Sequence, residues 1–522
     1  MDSAENSVGR DDSRYSETVL WLGSVIRPHI AVDRRALAAF RIALATLLIV
    51  DLALRSRNLI AFYTDAGVYP RVALFATDNL VPSVHTLSGE AWAQALLFVL
   101  AGMVALALLV GYRTRVATIG SWLLLCSLHI RNPLVLNGGD NLLRLLLFWG
   151  MFLPLGSRWS LDAYRRPPSR DDSTVATVAT VAVLLQVILM YVVNAIHKTR
   201  GDRWLRGEAL TYIFSADQFT FLLGNAIAEQ HMLLRLLTHL WLGLVIAAPV
   251  LLLLTGIPRA ILVSLFLGMH LGMAVSMPLG LFPLVVIAGL LPFYPPVVWT
   301  AAGTAAARLG FDANVRSRWV ERVKRWIVIP SVPPLSIACL REFQEYTTPP
   351  ARARAFFTTM VPLCILLLVV LTNAQALGYT DVPDPAEQVL DSTMTDQHWR
   401  MFAPNPVQTT RWYIAPGNLS NGSQVDVFHG GAVDWDRPPA VEQTYPTARW
   451  RKYLSNVRRD TSEAHRSRFA NFLCDRWNRR EDTRLETLSI YVLTDSSGPF
   501  EDPDEPTARN LQSDTCSGPP VQ

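Results

Sequence analysis

"TVATVATVAVLLQVILMYVVNAIHK" (174–198) decides the fold class, because it carries no charged side chain before His197 and Lys198. A helix needs about 20 apolar residues to cross the hydrocarbon core of a bilayer, and this run supplies them. Runs of the same kind fall near 36–54, 91–112, 116–134, 139–156, 231–255, 259–276, 279–299 and 356–376. "GIPRA" (256–260) and "SMPLG" (276–280) mark tight turns around the seventh. The expectation is an α-helical polytopic membrane protein with about nine transmembrane helices and a small C-terminal extracytoplasmic α+β domain.

The bulk composition agrees. The 522 residues are 51% hydrophobic and 17% charged, with mean hydropathy +0.24, whereas soluble domains carry about 25% charged residues. The net charge of +4 is modest and unevenly spread, which points to membrane orientation and membrane lipids, with no nucleic acid as partner. With a cytoplasmic N-terminus, cytoplasmic segments hold about 21 Lys plus Arg and the outer connecting loops about eight, as the positive-inside rule asks. Residues 1–35 then form a cytoplasmic segment without a cleavable signal, so the first span serves as the targeting signal. Residues 36–378 form the membrane domain, with a basic cytoplasmic loop at about 300–355. Within that loop, "RLGFDANVRSRWVERVKRW" (308–326) reads as an amphipathic helix on the inner leaflet or as a solvated loop helix. The localisation that follows is a multi-pass plasma membrane protein with its C-terminal domain outside.

That domain spans 379–495. "RWYIAPGNLSNGSQVDVF" (411–428) predicts two strands joined through Asn421-Gly422, "ARWRKYLSNVRRDTSEAHRSRFANFLCDRWNRR" (448–480) a helix, and "LETLSIYVLT" (485–494) a further strand. Residues 496–522 are rich in Pro, Asp and Ser and read as a disordered tail. Cys126 and Cys364 fall in membrane helices and Cys339 in the cytoplasm. Cys474 and Cys516 fall outside, where they can form a disulfide or stay free.

Polar groups inside apolar helices each need a reason. Asp51 and Arg55 are four residues apart and can pair. "HIRNPLVLNGGDNLLR" (129–144) gathers His129, Arg131, Asn132, Asn137, Asp140, Asn141 and Arg144 at the outer face. Asp140 and Asn141 can cap the following helix or line a site, and Gly138-Gly139 permits an unusual turn or a close approach. Tyr191, Asn194 and Lys198 share one helix face. Phe266, His270, Met273 and Met277 share another, a wall suited either to packing or to a flat apolar ligand such as a quinone ring. Arg235 and His239, four apart, read as structural. Only three of the 47 cationic side chains are lysines, Lys198, Lys324 and Lys452. A GC-rich bacterial genome would produce that bias, and a lysine at a helix end can snorkel. There is no P-loop, GxSxG or HExxH, and no Cys or His grouping with zinc spacing, so no metal is expected.

Several stretches, in order, resemble the HTTM (horizontally transferred transmembrane) superfamily, which includes vitamin K-dependent gamma-carboxylase. They are "FRIALATLLIVDLALR" (40–55), "YTDAGVYPR" (63–71), "GYRTR" (111–115), "RNPLVLNGGDNLLR" (131–144), "WSLDA" (159–163), "YVVNAIHKTRGDRWLRGEAL" (191–210), "MHLGMAVSMPLGLF" (269–282) and "WRMFAPNP" (399–406). In the carboxylase a lysine near the lumenal end of a membrane helix is the base acting on vitamin K hydroquinone. Tyr191, Lys198, Trp204 and Gly207 look like the residues of that segment, so the resemblance implies Lys198 as base. Arginine could not serve, because its pKa exceeds about 12. His270 resembles a later histidine of the carboxylase. Asp140-Asn141 stands where the carboxylase has an Asn-His pair, so one histidine is missing.

The resemblance implies a reduced quinone, menaquinone or vitamin K hydroquinone, as cofactor and a secreted protein or peptide as substrate. Two functions follow as expectations. One is a quinol-dependent carboxylase or oxygenase working on the outer face. The other is a non-catalytic lipid- or quinone-binding protein that assists maturation of a secreted partner.

Overall fold

The computed structural model describes residues 23–76, 83–165, 173–309, 356–381, 397, 399–459, 463–496, 498–500 and 505–516. Among the described residues the first part has ten helices longer than seven residues: α1 (Arg34–Ser56), α2 (Ala91–Val110), α3 (Thr114–Arg131), α4 (Gly138–Gly150), α5 (Val178–Thr199), α6 (His231–Ala247), α7 (Gly256–Ser276), α8 (Phe282–Leu290), α9 (Pro296–Arg308) and α10 (Val361–Ala376).

A helix falls on each of the nine apolar segments. Among the described residues, five are long and apolar enough to cross a membrane: α1, α2, α5, α7, and Thr358–Ala376, which includes α10. Phe282–Phe293 and Pro296–Arg308 make a sixth only if taken as one span, and they meet at 103°. Pro292, Pro295 and Pro296 explain that bend, since proline removes a backbone donor and restricts the residue before it. The 13 residues of α4 rise only about 20 Å, short of the roughly 30 Å core. Most of the basic helix expected at 308–326, and Cys339, lie outside the described residues. Cys126 is half-buried and Cys364 exposed.

The most enclosed of the five spans is α5, 72% buried, whereas α2 is 22% buried. It starts at a reciprocal cap, in which Thr177 Oγ1 accepts from the Thr180 N–H and Thr180 Oγ1 from the Thr177 N–H. It packs against α4, α6, α8 and α10. A site on α5 is therefore walled by several helices at once.

The C-terminal domain contains β1 (Thr410–Ile414), β2 (Pro416–Leu419), β3 (Gln424–Asp426), α11 (Ala448–Arg459), α12 (Glu463–Arg480), β4 (Leu485–Asp495) and β5 (Thr507–Thr515). All pairings are antiparallel, in the order β1-β4-β2-β3, with β5 also on β4. The Asn421-Gly422 turn joins β2 to β3, with Gly422 at φ +84°. The first strand expected at 411–428 is split, because β1 and β2 pair with opposite halves of β4. Two helices occupy the 448–480 segment, which was expected to form one.

The tail differs more from expectation. Residues 507–515 form β5 instead of remaining disordered, and a disulfide joins Cys516 to Cys474 on α12, with Cα atoms 5.5 Å apart. Apart from Leu511 this strand buries little. Its order comes from the backbone ladder along β4 and the covalent tie, which a polar composition does not reveal.

The domain docks on one end of the helices. Its apolar cluster takes in Phe62, Tyr63, Val68 and Phe98 from the membrane part. The Trp450 ring lies 4.7 Å from Phe62, and its indole N–H donates to Asn58 Oδ1 at 3.0 Å. A buried ionic knot lies beside this contact. Arg55 pairs with Asp51 (2.6 Å) and Asp140 (2.5 Å), while Arg449 of α11 reaches the same two carboxylates at 2.5 and 3.0 Å.

Candidate functional site

Where α5 meets the docked domain there is a cavity of about 470 Å³. From α5 come Met190, Tyr191 and Asn194, from α6 Trp241 and Val245, from α7 Met269, His270 and Met273, and from α8 Phe282. The segment "WRMFAPNP" (399–406) adds Met401 and Phe402. The C-terminal domain contributes Arg411, Tyr413 and Tyr445, with Arg451, Lys452, Arg458 and Arg459 of α11. The cavity is thus apolar on the helix side and cationic on the domain side.

Tyr191, His270 and Asn194 are the polar groups that α5 and α7 bring to this side. The Tyr191 hydroxyl is buried with no hydrogen-bond partner among the described residues, and its ring lies 4.7 Å from Phe266 and 5.9 Å from His270. His270 Nδ1 donates to the Phe266 carbonyl at 2.9 Å, which leaves Nε2 as the acceptor of a neutral ring. Asn194 Nδ2 donates to the carbonyls of Trp399 (2.9 Å) and Met401 (3.2 Å). An unsatisfied buried hydroxyl costs about 1–3 kcal/mol unless something occupies it. A flat ring carrying oxygens fits this site: Tyr191 offers a donor, His270 an acceptor, and the Met and Phe side chains two soft faces.

Lys198 lies just behind this wall, fully buried, and does not line the cavity. Its Nζ donates to the Met401 carbonyl at 3.2 Å and lies 3.2 Å over the Trp204 ring centroid and 4.8 Å from that of Trp241. Trp204 Nε1 donates in turn to the Phe402 carbonyl at 2.8 Å. At Gly201 a Cβ would come within 1.9 Å of the Pro404 carbonyl oxygen. Residues 191–204 and 399–404, far apart in sequence, therefore form one interlocked strap. Lys198 and Asn194 share an acceptor in it, the Met401 carbonyl.

Tyr191, Asn194, His270 and Met273 meet at the cavity as their spacing suggests. Trp204 serves the strap. Asp140 and Asn141 lie elsewhere, in a polar knot. There Asn137 caps α4 by accepting from Gly139 and Asp140, and Asp140 accepts from the Asn137 N–H, so the capping reading holds for Asp140. Asn141 accepts from Arg144, and Asp140 is engaged by Arg55 and Arg449. Gly139 is a close approach, since a Cβ there would lie 2.8 Å from Phe282 Cα. Met277 leaves the wall because α7 stops at Ser276, where Pro278 disfavours helical backbone for the residue before it.

The cationic rim was not anticipated. A signal for it existed in α11, where Arg451, Ser455, Arg458 and Arg459 recur at helical spacing.

The fold and this site define a helical protein, five of whose described helices are long and apolar enough to cross a membrane, with a cavity at one end of the bundle bordered by the C-terminal domain. Its membrane part identifies the family: the HTTM domain model matches residues 29–299, just over half of the chain, and the chain belongs to that family. No curated protein and no solved structure matches it.

Proposed function

We propose that the protein is a quinol-dependent enzyme of the plasma membrane, carrying out carboxylation or oxygenation at the outer face with Lys198 as base. The observation that carries this reading is the cavity wall. An orphaned Tyr191 hydroxyl, the His270 ring and Met and Phe side chains line one cavity with Met401, whose carbonyl accepts from a buried lysine that has no carboxylate partner among the described residues. In this reading the N-terminus is cytoplasmic, the nine helical segments weave through the bilayer, and the C-terminal domain and strap lie outside.

A bound reduced quinone, menaquinone or vitamin K hydroquinone, would supply reducing equivalents and, with oxygen, a base strong enough for carbon acids. Tyr191 would donate to a ring oxygen and His270 Nε2 would accept from a ring hydroxyl. Neutral Lys198 would take a proton at Nζ, which arginine cannot do. Trp204 and Trp241 would keep water from the amine, and Asn194 would hold the strap against α5.

One contact favours the second reading, a non-catalytic quinone- or lipid-binding protein that helps a secreted partner mature. The Lys198 amine already has an acceptor, and holding Met401 would account for its presence. Both readings require a ligand in the cavity. Native mass spectrometry of the purified protein tests that, with bound lipid quinone expected in wild type, lost in Tyr191→Phe/His270→Ala and kept in Arg479→Gln. A wild-type protein that neither retains nor takes up menaquinone would end the quinone reading.

A further inference from the structure

The apolar wall and the cationic rim belong to one cavity, and a quinol ring answers only the first. Five cations line the rim, Arg411 on β1 and Arg451, Lys452, Arg458 and Arg459 on α11. No aspartate or glutamate lines the cavity among the described residues. Arg449, on the same helix, shows the contrast, for it is sunk between Asp51 and Asp140. None of the ion pairs among the described residues involves the five rim cations.

The rim is held in place. Arg451 donates to the Pro278 carbonyl at 2.8 Å and stacks 4.5 Å over Phe219. Tyr445 donates to the Arg411 carbonyl at 2.6 Å and Tyr413 to the Leu454 carbonyl at 3.2 Å, so both phenol protons are spent on backbone, and Tyr413 also hydrogen-bonds the Arg458 side chain. Burial pushes Arg451 down to about 10. Burial first, then the neighbouring Arg459 and Arg451, lowers Lys452, and burial followed by Arg458 lowers Arg411. Like charges crowded and partly desolvated are costly until an anion joins them.

We infer that the cavity takes an acidic membrane amphiphile, its phosphate or carboxylate head among Arg411, Arg451 and Arg459 and its apolar part against Met273 and Phe282. A lipid fits better than an acidic peptide because the same cavity continues from the cations into the methionine and phenylalanine surface. A peptide carboxylate would leave that surface uncovered. The inference rests on the cavity of the proposed function but not on its redox chemistry.

The test uses the full-length protein in uncharged detergent, titrated with dioleoyl phosphatidic acid, dioleoylglycerol, inorganic phosphate and a glutamate-rich peptide. Charge-assisted contacts predict phosphatidic acid binding at least about tenfold tighter than dioleoylglycerol. Arg451→Gln/Arg459→Gln removes that preference. Arg451→Lys/Arg459→Lys keeps most of it, which separates loss of charge from loss of fold. Arg479→Gln, an exposed position on α12 away from the rim, leaves it unchanged. Equal affinity for the two lipids, or binding of phosphate or peptide as tight as phosphatidic acid, would overturn the inference. Phosphatidic acid binding by a wild-type protein that takes up no oxygen with added quinol would end the redox reading alone, so the two readings fail separately.

Discussion

Replacing Arg449 with methionine should loosen the C-terminal domain from the helices. Two carboxylates, Asp51 and Asp140, face two guanidiniums, Arg55 and Arg449, so these four groups balance. Arg449 makes four contacts: Asp51 Oδ1 at 2.5 Å, Asp140 Oδ1 at 3.0 Å, Asp140 Oδ2 at 3.2 Å and the Val135 carbonyl at 3.2 Å. Burial works against its charge, but Asp140 and Asp51 outweigh burial and raise its pKa. Without it, Arg55 is the one guanidinium of the pair left to both carboxylates. Breaking a buried pair costs about 3–5 kcal/mol. Arg449 retains 14% side-chain exposure, so water can enter and the lower end, about 3 kcal/mol, applies. Because Arg449 is on α11 and the carboxylates on α1 and α4, the loss falls on domain docking. Hydrogen exchange in α11 peptides should then speed up by roughly a hundredfold. Adding Asp51→Asn restores charge balance, so the double variant should cost about 1–3 kcal/mol less than the sum of the singles. Unchanged α11 exchange in Arg449→Met, or strict additivity, would refute the reasoning.

Three further outcomes follow from local geometry. Gly201→Ala puts a methyl group within 1.9 Å of the Pro404 carbonyl oxygen, so the strap should shift at a cost of about 1–3 kcal/mol, read as faster proteolysis near residues 399–406. Cys474→Ser should lower domain stability by up to about 4 kcal/mol in the chain-entropy picture, given the 42-residue separation; protection of Cys516 from alkylation in non-reduced wild type is the accompanying check. His429 donates to Asp426 at 2.8 Å. Burial opposes both charges, yet their mutual bond raises the histidine above 6.5 and, with the Ala415 and Phe428 N–H groups, holds Asp426 below 3.8. The histidine's contribution is full below 6.5 and fades as pH rises through its raised value. That of the aspartate is full above 3.8 and fades as pH falls through its lowered value. His429→Gln should therefore destabilise most between pH 3.8 and 6.5, as measured by denaturation of the variant against wild type across pH.

The membrane class was legible because apolar length is written residue by residue, as in 174–198. The number of crossings was less so. Pattern alone does not register that α4 is short or that three prolines turn α8 from α9. Tyr191, Asn194, His270 and Met273 could be read from helical spacing, since each helix orients its own side chains. The docking of 399–404 onto α5 could not, since it rests on backbone carbonyls that carry no residue signature. The cationic rim was missed for a related reason: α11 reads as a solvated basic helix until its partner surface is known. β5 was missed because a polar edge strand is held by its neighbour's backbone.

In the proposed function Lys198 Nζ acts as the base toward a reduced quinone. Oxygen uptake by purified protein on addition of menaquinol or vitamin K hydroquinone tests it most directly, with wild type, Lys198→Ala and Lys198→Arg compared. Uptake is expected in wild type, with a fall of at least about a hundredfold in both variants and Lys198→Arg still folded with its cavity still loaded. Absence of uptake in wild type, or full activity in Lys198→Arg, would contradict it.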